Sequence, residues 1–203
     1  MIAVIDYGAG NIQSVMKALR HIGCDCVLTN SPEIINSASG AILPGVGSFG
    51  DCMDNIEKSN LTEVIKNYAN SGKPFMGICL GLQLLFPESE ERPNVSGLGL
   101  LKGTITKIPK QEGIKVPHMG WNSLNIRKND GLFKGIEGNP YVYFVHSYYL
   151  TAEDKDIVSA DTFYSTEIHA AVQYKNIHAT QFHPEKSGDV GLKILRNFAD
   201  MTL

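Results

Sequence analysis

The sequence predicts an α/β fold, doubly wound around a mostly parallel sheet with antiparallel additions. Three observations predict it. Short apolar runs without polar alternation, such as IAVID (2–6), GAILPG (40–45) and PFMGI (74–78), read as strands covered on both faces. Between them, apolar residues recur at helical spacing, and strands joined by helices are parallel neighbours. From about Ile105 the texture changes to strand-like pieces separated by turn residues, the signature of antiparallel pairing.

Taken in order, IAVID is the first strand, and Ile12, Val15, Met16, Leu19 and Ile22 mark one face of the helix that follows. Asn11 can cap that helix and Gly23 can end it. CVLT (26–29) is a second strand, a short helix follows Ser31-Pro32, and GAILPG is a third strand running into a glycine-rich loop. Leu61, Val64, Ile65 and Tyr68 repeat the helical period before Gly72, and PFMGI then delivers the chain to Cys79. The later strands are VPHMGWNSLNI (116–126), YVYFVHSYYL (141–150), IVSAD (157–161), AAVQY (170–174) and IHATQF (177–182), the last two joined by a Lys175-Asn176 turn. Leu192, Leu195, Phe198 and Ala199 form a closing amphipathic helix. No internal repeat, low-complexity tract or linker interrupts the chain, so one domain is expected over residues 1–203.

Composition narrows the function. The chain has 203 residues, 43% hydrophobic and 19% charged, enough for one core burying roughly 70% of the unfolded surface. A net charge of −3 and the lack of any run of five Lys/Arg supply no electrostatic footprint for nucleic acid. The longest apolar stretch, Phe75 to Phe86, is broken by Gln83 and falls short of the roughly 20 residues that span a bilayer, so no membrane partner is expected. MIAVIDYGAGN has no basic leader and reads as a strand, which points to a cytoplasmic protein. The four cysteines (Cys24, Cys26, Cys52, Cys79) make no CxxC pair. Cys24 and Cys26 read as small buried or half-buried hydrophobes, and no metal site or cofactor is expected.

Two stretches carry chemistry. In FMGICLGLQLL (75–85), Gly77 and Gly81 flank Cys79 in the G-x-C-x-G form of a nucleophile elbow, where a strained strand-to-helix turn exposes the reactive atom. A helix starting after Cys79 would favour its thiolate through the helix dipole. In TQFHPEKS (180–187), His183 follows an apolar strand, Pro184 holds it extended, and Glu185 lies two residues on, on the same side. A thiol nucleophile needs such a base and such an orienting group. It also needs donors for a developing oxyanion. The Leu80 N–H is one candidate, and the loop LPGVGSFG (43–50), with three glycines in six residues, offers another from Val46 or Gly47.

GICLGLQ, PGVG and QFHPEKS together resemble the class I, triad-type glutamine amidotransferases, and the expected architecture is class I glutamine amidotransferase-like. DYGAGN (6–11), PHMGWN (117–122) and YFVHSYY (143–149) narrow the resemblance to the glutaminase subunits of imidazole glycerol phosphate synthase, over nearly the whole chain. The resemblance implies Cys79 as nucleophile, His183 as general base then acid, and Glu185 as the orienting carboxylate. It implies glutamine held by Gly47, Gln83, Glu91, His146, Ser147 and Tyr148, and an oxyanion loop of Gly45, Val46, Gly47 and Leu80 in which the Gly45-Val46 peptide flips. It places Asn11, Trp121 and Lys186 against a cyclase subunit that receives the ammonia in a heterodimer. Trp121, the chain's one tryptophan, is then an interface anchor; its other reading is a core residue.

Two stretches depart from the pattern. Pro87 falls where helix would continue, and His169 and His178 occupy a region where the family has mostly apolar or acidic residues. Neither histidine is followed by an orienting carboxylate, so both read as surface or strand-face residues. The readings that remain open are a paralogous glutaminase supplying a surface-sugar amidotransferase, a catalytically silent partner-binding module, and a hydrolase acting on peptides or esters.

Overall fold

The structure is a computed structural model that describes residues 1–8 and 12–203; Asn11, expected as a helix cap and interface residue, lies outside the described residues. The first half runs β1 (Ile2–Ile5), α1 (Ile12–His21), β2 (Cys26–Thr29), α2 (Pro32–Ser37), β3 (Gly40–Gly45), α3 (Phe49–Lys58), α4 (Thr62–Asn70), β4 (Phe75–Cys79) and α5 (Leu80–Gln83). The second half adds β5 (Glu88–Ser89), β6 (Gly103–Lys107), β7 (His118–Ser123), β8 (Asn125–Ile126), β9 (Tyr141–His146), β10 (Tyr148–Ala152), β11 (Val158–Tyr164), β12 (Thr166–Tyr174), β13 (Ile177–Thr180) and α6 (Gly188–Asp200).

Among the described residues the main sheet has eight strands in the order β2-β1-β3-β4-β13-β12-β11-β8. The first five are mutually parallel and the last three antiparallel, the doubly wound architecture with antiparallel additions that the sequence predicts. Alternation along β1 divides the core between the two faces. Ala3 and Ile5 pack with Ile35, Ile56 and Ile65 from α2, α3 and α4. Ile2 and Val4 pack with Val15 and Leu19 of α1 and Leu195 and Phe198 of α6. Burying both faces removes the polar alternation from these strands, which is why they read as plain apolar runs.

Three features differ from the expectations. The glycine-rich loop is shorter than its sequence suggests: Ser48 accepts the Asp51 N–H at 3.2 Å and so caps α3, which the glycines at 45, 47 and 50 conceal from a periodicity reading. The strand-like segments of the second half do not all join one sheet. β7 and β9 pair as a separate antiparallel ribbon, and β10, β6 and β5 form a third sheet. Of the two readings for His169 and His178, the strand-face one holds and the surface one does not. Both residues sit on β12 and β13 at 4% exposure each, and burial holds both below the usual histidine range, His178 at about 4. His169 Nε2 lies 3.4 Å from Glu167 Oε1, a carboxylate two residues before it rather than after. An imidazole kept neutral by burial needs no such partner, so the lack of a following carboxylate was a poor guide to exposure.

The strand that matters most is β13. It is antiparallel to β12, as expected, but its other edge runs parallel to β4 with Thr180 opposite Ile78. The C-terminal ends of β4 and β13 therefore open on the same edge of the sheet, where ligands bind in doubly wound folds. β3 flanks β4 on the other side, with Gly45 opposite Cys79.

Here the backbones are nearly in contact. A Cβ on Gly77 would lie 2.6 Å from the Gly81 carbonyl oxygen, and one on Gly45 would lie 2.7 Å from the Gly81 nitrogen. The obstacles are backbone, which cannot move aside as a side-chain tip could. Gly77→Ala is expected to destabilise the protein by about 3 kcal/mol or more through overpacking and strain. A urea midpoint for Gly77→Ala equal to that of the wild type would contradict this packing.

Candidate active site

Cys79 closes β4 with φ +56° and ψ −110°, a backbone conformation that costs a residue with a Cβ about 1–3 kcal/mol. The turn is tenable because Gly77 and Gly81 let the chain fold back on itself, and it lifts the cysteine above the sheet edge. The helix after it, α5, is a single turn of four residues. So short a helix has little macrodipole to act on the cysteine, and the group placed to take its proton is the imidazole across the cleft.

That imidazole is His183. Its φ of −98° and ψ of 97° are extended, as Pro184 requires, and the chain then turns through Pro184–Lys186. The His183 N–H donates to the Tyr143 carbonyl at 3.0 Å, while Ser187 Oγ donates to the His183 carbonyl at 2.6 Å and accepts the Tyr143 N–H at 3.0 Å. Nδ1 lies 2.7 Å from Glu185 Oε1, with both side chains 2% exposed. A carboxylate only accepts, so the Nδ1 proton faces Glu185, and neutral His183 keeps its lone pair on Nε2. Nε2 has no conventional hydrogen bond among the described residues; the group it interacts with is the Cys79 thiol. Burial pushes the His183 pKa down, but Cys79 and Glu185 outweigh it and raise it to about 10. A proton on His183 is therefore favoured.

Sequence reasoning missed several residues around this pair. Gln181 Nε2 lies 3.8 Å from Cys79 Sγ, and its Oε1 accepts from Gln83 Nε2 at 3.0 Å. Gln83 Nε2 also donates to the Tyr148 carbonyl at 3.0 Å. Gln181 lies inside the quoted QFHPEKS stretch, and a fully buried polar residue beside a catalytic candidate is the signal that singles it out once burial is known. Ser187 ends the same stretch and is buried likewise, but its bonds to the His183 carbonyl and the Tyr143 N–H exist only in the folded chain.

A cleft of about 310 Å³ opens beside Cys79. Its walls bring together Val46, Gly47, Leu80, Gln83, Glu91, His146, Ser147, Tyr148 and His183 from the expected set, and add Pro117 and Val145. Gly45 lies behind this wall, against Leu80 and Gly81. Glu91 Oε2 accepts the Phe49 N–H at 2.7 Å and so ties the first turn of α3 to the cleft. His146 is present, but both ring nitrogens are engaged inside the protein. Nδ1 is 2.9 Å from the Tyr148 carbonyl, and Nε2 is 3.1 Å from His118 Nδ1. Since the carbonyl must receive a proton, His146 Nδ1 is the donor and the His118 Nδ1–H donates to His146 Nε2. A ligand therefore meets the backbone of this segment rather than the His146 imidazole.

On the surface nearby, Trp121 is 56% exposed, which excludes the core reading. It stands edge-on to Tyr143 at 6.1 Å between ring centroids, and Lys186 Nζ lies 6.0 Å from the centre of the same ring. Trp121 and Lys186 thus share one patch, together with the 62% exposed Met119.

Two predictions follow from the site's energetics. Cys79→Gly should be about 1 kcal/mol more stable than Cys79→Ala, because only glycine relaxes at φ +56°; equal urea midpoints would mean the turn is unstrained. Burial lowers His118 and His178 to about 4 and His146 to about 3, all below the usual 6.5. At these three groups the unfolded chain binds more protons than the folded one, so the stability they contribute should be full above about pH 6.5 and fall as pH drops towards 4. His178→Leu should flatten part of that slope, read from urea midpoints between pH 7 and 4.5. His183, raised to about 10, acts in the opposite sense: it contributes fully below about pH 6.5 and loses its share as pH rises.

A family model described as glutamine amidotransferase class-I matches residues 3–201. The imidazole glycerol phosphate synthase subunit HisH of Methanothermobacter thermautotrophicus is 51% identical over 201 residues, covering 99% of this chain and 98% of the relative. The HisH subunit of Caldanaerobacter subterraneus subsp. tengcongensis is 49% identical over the same coverage. A solved glutamine amidotransferase structure shares the fold at a TM-score of 0.78 with 17% identity, covering 100% of this chain and 99% of that one. With full-length matches of this kind around a cysteine elbow and a buried His–Glu pair, the chain belongs to the class I glutamine amidotransferases, within the group of imidazole glycerol phosphate synthase HisH subunits.

Proposed function

We propose that this chain hydrolyses glutamine to glutamate and ammonia and passes the ammonia to a cyclase subunit. That subunit makes imidazole glycerol phosphate and an aminoimidazole carboxamide ribonucleotide in histidine biosynthesis. The observation that carries the reading is the placement of Cys79 at the strained end of β4 beside the buried His183–Glu185 pair, at the edge of a cleft of about 310 Å³.

The Cys79 thiolate attacks the side-chain amide carbonyl, and the developing oxyanion is met by the Leu80 N–H and an N–H of the Val46–Gly47 segment. His183, protonated at Nε2 and oriented through Nδ1 by Glu185, gives its proton to the departing nitrogen, which leaves as ammonia with the C–N bond electrons. The resulting glutamyl thioester is attacked by water, whose proton His183 takes. Collapse breaks the C–S bond, releases glutamate and restores the cysteine. Gln181, hydrogen-bonded to Gln83, steadies the thiol and the floor of the site.

Free ammonia in neutral water is mostly ammonium, which has no lone pair for attack, so direct transfer to a partner serves the chemistry. The patch of Trp121, Tyr143 and Lys186 supports a docking face there, since exposed tryptophan beside a cation is typical of interface anchors. The full-length HisH relatives favour this partner over a surface-sugar amidotransferase.

The test is glutamate formation by the purified chain mixed with its own organism's cyclase subunit, with and without the cyclase's nucleotide substrate. Weak basal turnover and a large ligand-dependent rise are expected. Cys79→Ala should fall below about one thousandth of wild type while remaining folded. Folded protein without turnover in any mixture would sink the glutaminase reading, and equal rates with and without ligand would sink the switchable loop.

A further inference from the structure

The loop bearing the candidate oxyanion donors is fastened at two carbonyls by side chains that no step above uses. Tyr7 OH donates to the Pro44 carbonyl at 2.7 Å, and Cys52 Sγ donates to the Val46 carbonyl at 3.4 Å. The two come from different elements: Tyr7 follows β1, and Cys52 is in α3. They are 2% and 3% exposed, so water does not compete for either carbonyl. The fastened carbonyls belong to the peptides on either side of Gly45-Val46.

We infer that Tyr7 and Cys52 are positioning residues that clamp the peptides flanking Gly45-Val46, so that the Gly47 N–H is held in register with the Leu80 N–H and the Gly45-Val46 plane can present the Val46 N–H to the oxyanion from fixed flanks. The inference rests on the proposed glutaminase reading.

Geometry supports it in three ways. In a trans peptide the C=O and N–H point in opposite directions, so fixing the Val46 carbonyl towards α3 turns the Gly47 N–H away from α3. A flip of the Gly45-Val46 plane turns about the line joining its two Cα atoms. It stays local only if the neighbouring planes are held, and the two clamps hold those planes. Finally, the Gly45 end is wedged against the elbow, where an added Cβ would sit 2.8 Å from Leu80 Cβ, so the clamped loop is referenced directly to the other oxyanion donor. Burial raises both the Tyr7 phenol and the Cys52 thiol, which also interact with each other. Both therefore remain donors at the pH of the reaction.

The experiment compares Tyr7→Phe, Cys52→Ala and Cys52→Ser in the complex with the cyclase subunit and its nucleotide. Outright loss of an oxyanion donor costs roughly 10²–10³ in kcat, so loosening its support should cost about tenfold in Tyr7→Phe and about threefold in Cys52→Ala, with KM for glutamine within about twofold. Cys52→Ser, which keeps a donor, should recover most of the rate. Alkylation of Cys79 by iodoacetamide, followed by peptide mapping, should proceed at the wild-type rate in all three, because that displacement needs the thiolate but forms no oxyanion. Wild-type kcat in Tyr7→Phe and Cys52→Ala would overturn the clamp. So would a loss of kcat matched by equal loss of Cys79 alkylation, which would mean general damage to the elbow. If Tyr7→Phe does not fold, the contrast of Cys52→Ala with Cys52→Ser decides by the same criteria. A wild-type complex that alkylates at Cys79 but turns over no glutamine would instead overturn the glutaminase reading, and the clamp with it.

Discussion

Because Gly45, Gly77 and Gly81 carry no Cβ, the turn after β4 can fold back onto the end of β3 with backbone atoms in van der Waals contact. The rest of the site depends on this close approach. It forces Cys79 into a left-handed conformation, starts α5 directly after it, and sets the oxyanion loop against the same turn. The surrounding sheet makes the strain affordable, since β4 is a fully buried strand between β3 and β13.

Position alone would leave an inert thiol in an apolar setting. What changes its chemistry is the arrival of His183 from a strand about a hundred residues later, with its orienting carboxylate two residues on and its backbone pinned to β9 through Tyr143 and Ser187. The site contains histidines of opposite character within one small volume. His183, facing a carboxylate and a thiol, is raised to about 10, whereas His118 and His146, which meet each other, ring neighbours, the Asn122 amide and the Tyr148 carbonyl, are lowered by burial. Burial acts on all three in the same direction, and the partners decide the outcome.

Much of the fold was legible in residue order. The apolar strands of the first half, most of its helices and the antiparallel texture of the second half follow from periodicity, because a strand covered on both faces and an amphipathic helix leave distinct patterns. The helix Phe49–Lys58 was hidden by glycines near its start, since local propensity there says loop while the Ser48 cap and the packing of Phe49, Cys52 and Ile56 decide for helix. The burial of His169 and His178 was equally hidden: a neutral imidazole on a core strand has no sequence mark that separates it from an exposed one.

For the site, the sequence by itself determined which residue types could react and their local conformation. Glycines two residues either side of Cys79 permit the elbow, and Pro184 with Glu185 pre-sets His183, because these are constraints between near neighbours. Only the tertiary structure decided that the two halves meet. The parallel pairing of β13 with β4 brings residues 79 and 183 to one sheet edge, and neither strand carries that choice in its own composition. The same holds for Gln181, Ser187, Tyr7 and Cys52. Their roles come from partners distant in sequence, and a hydrogen bond between distant segments exists only once the chain has closed on itself.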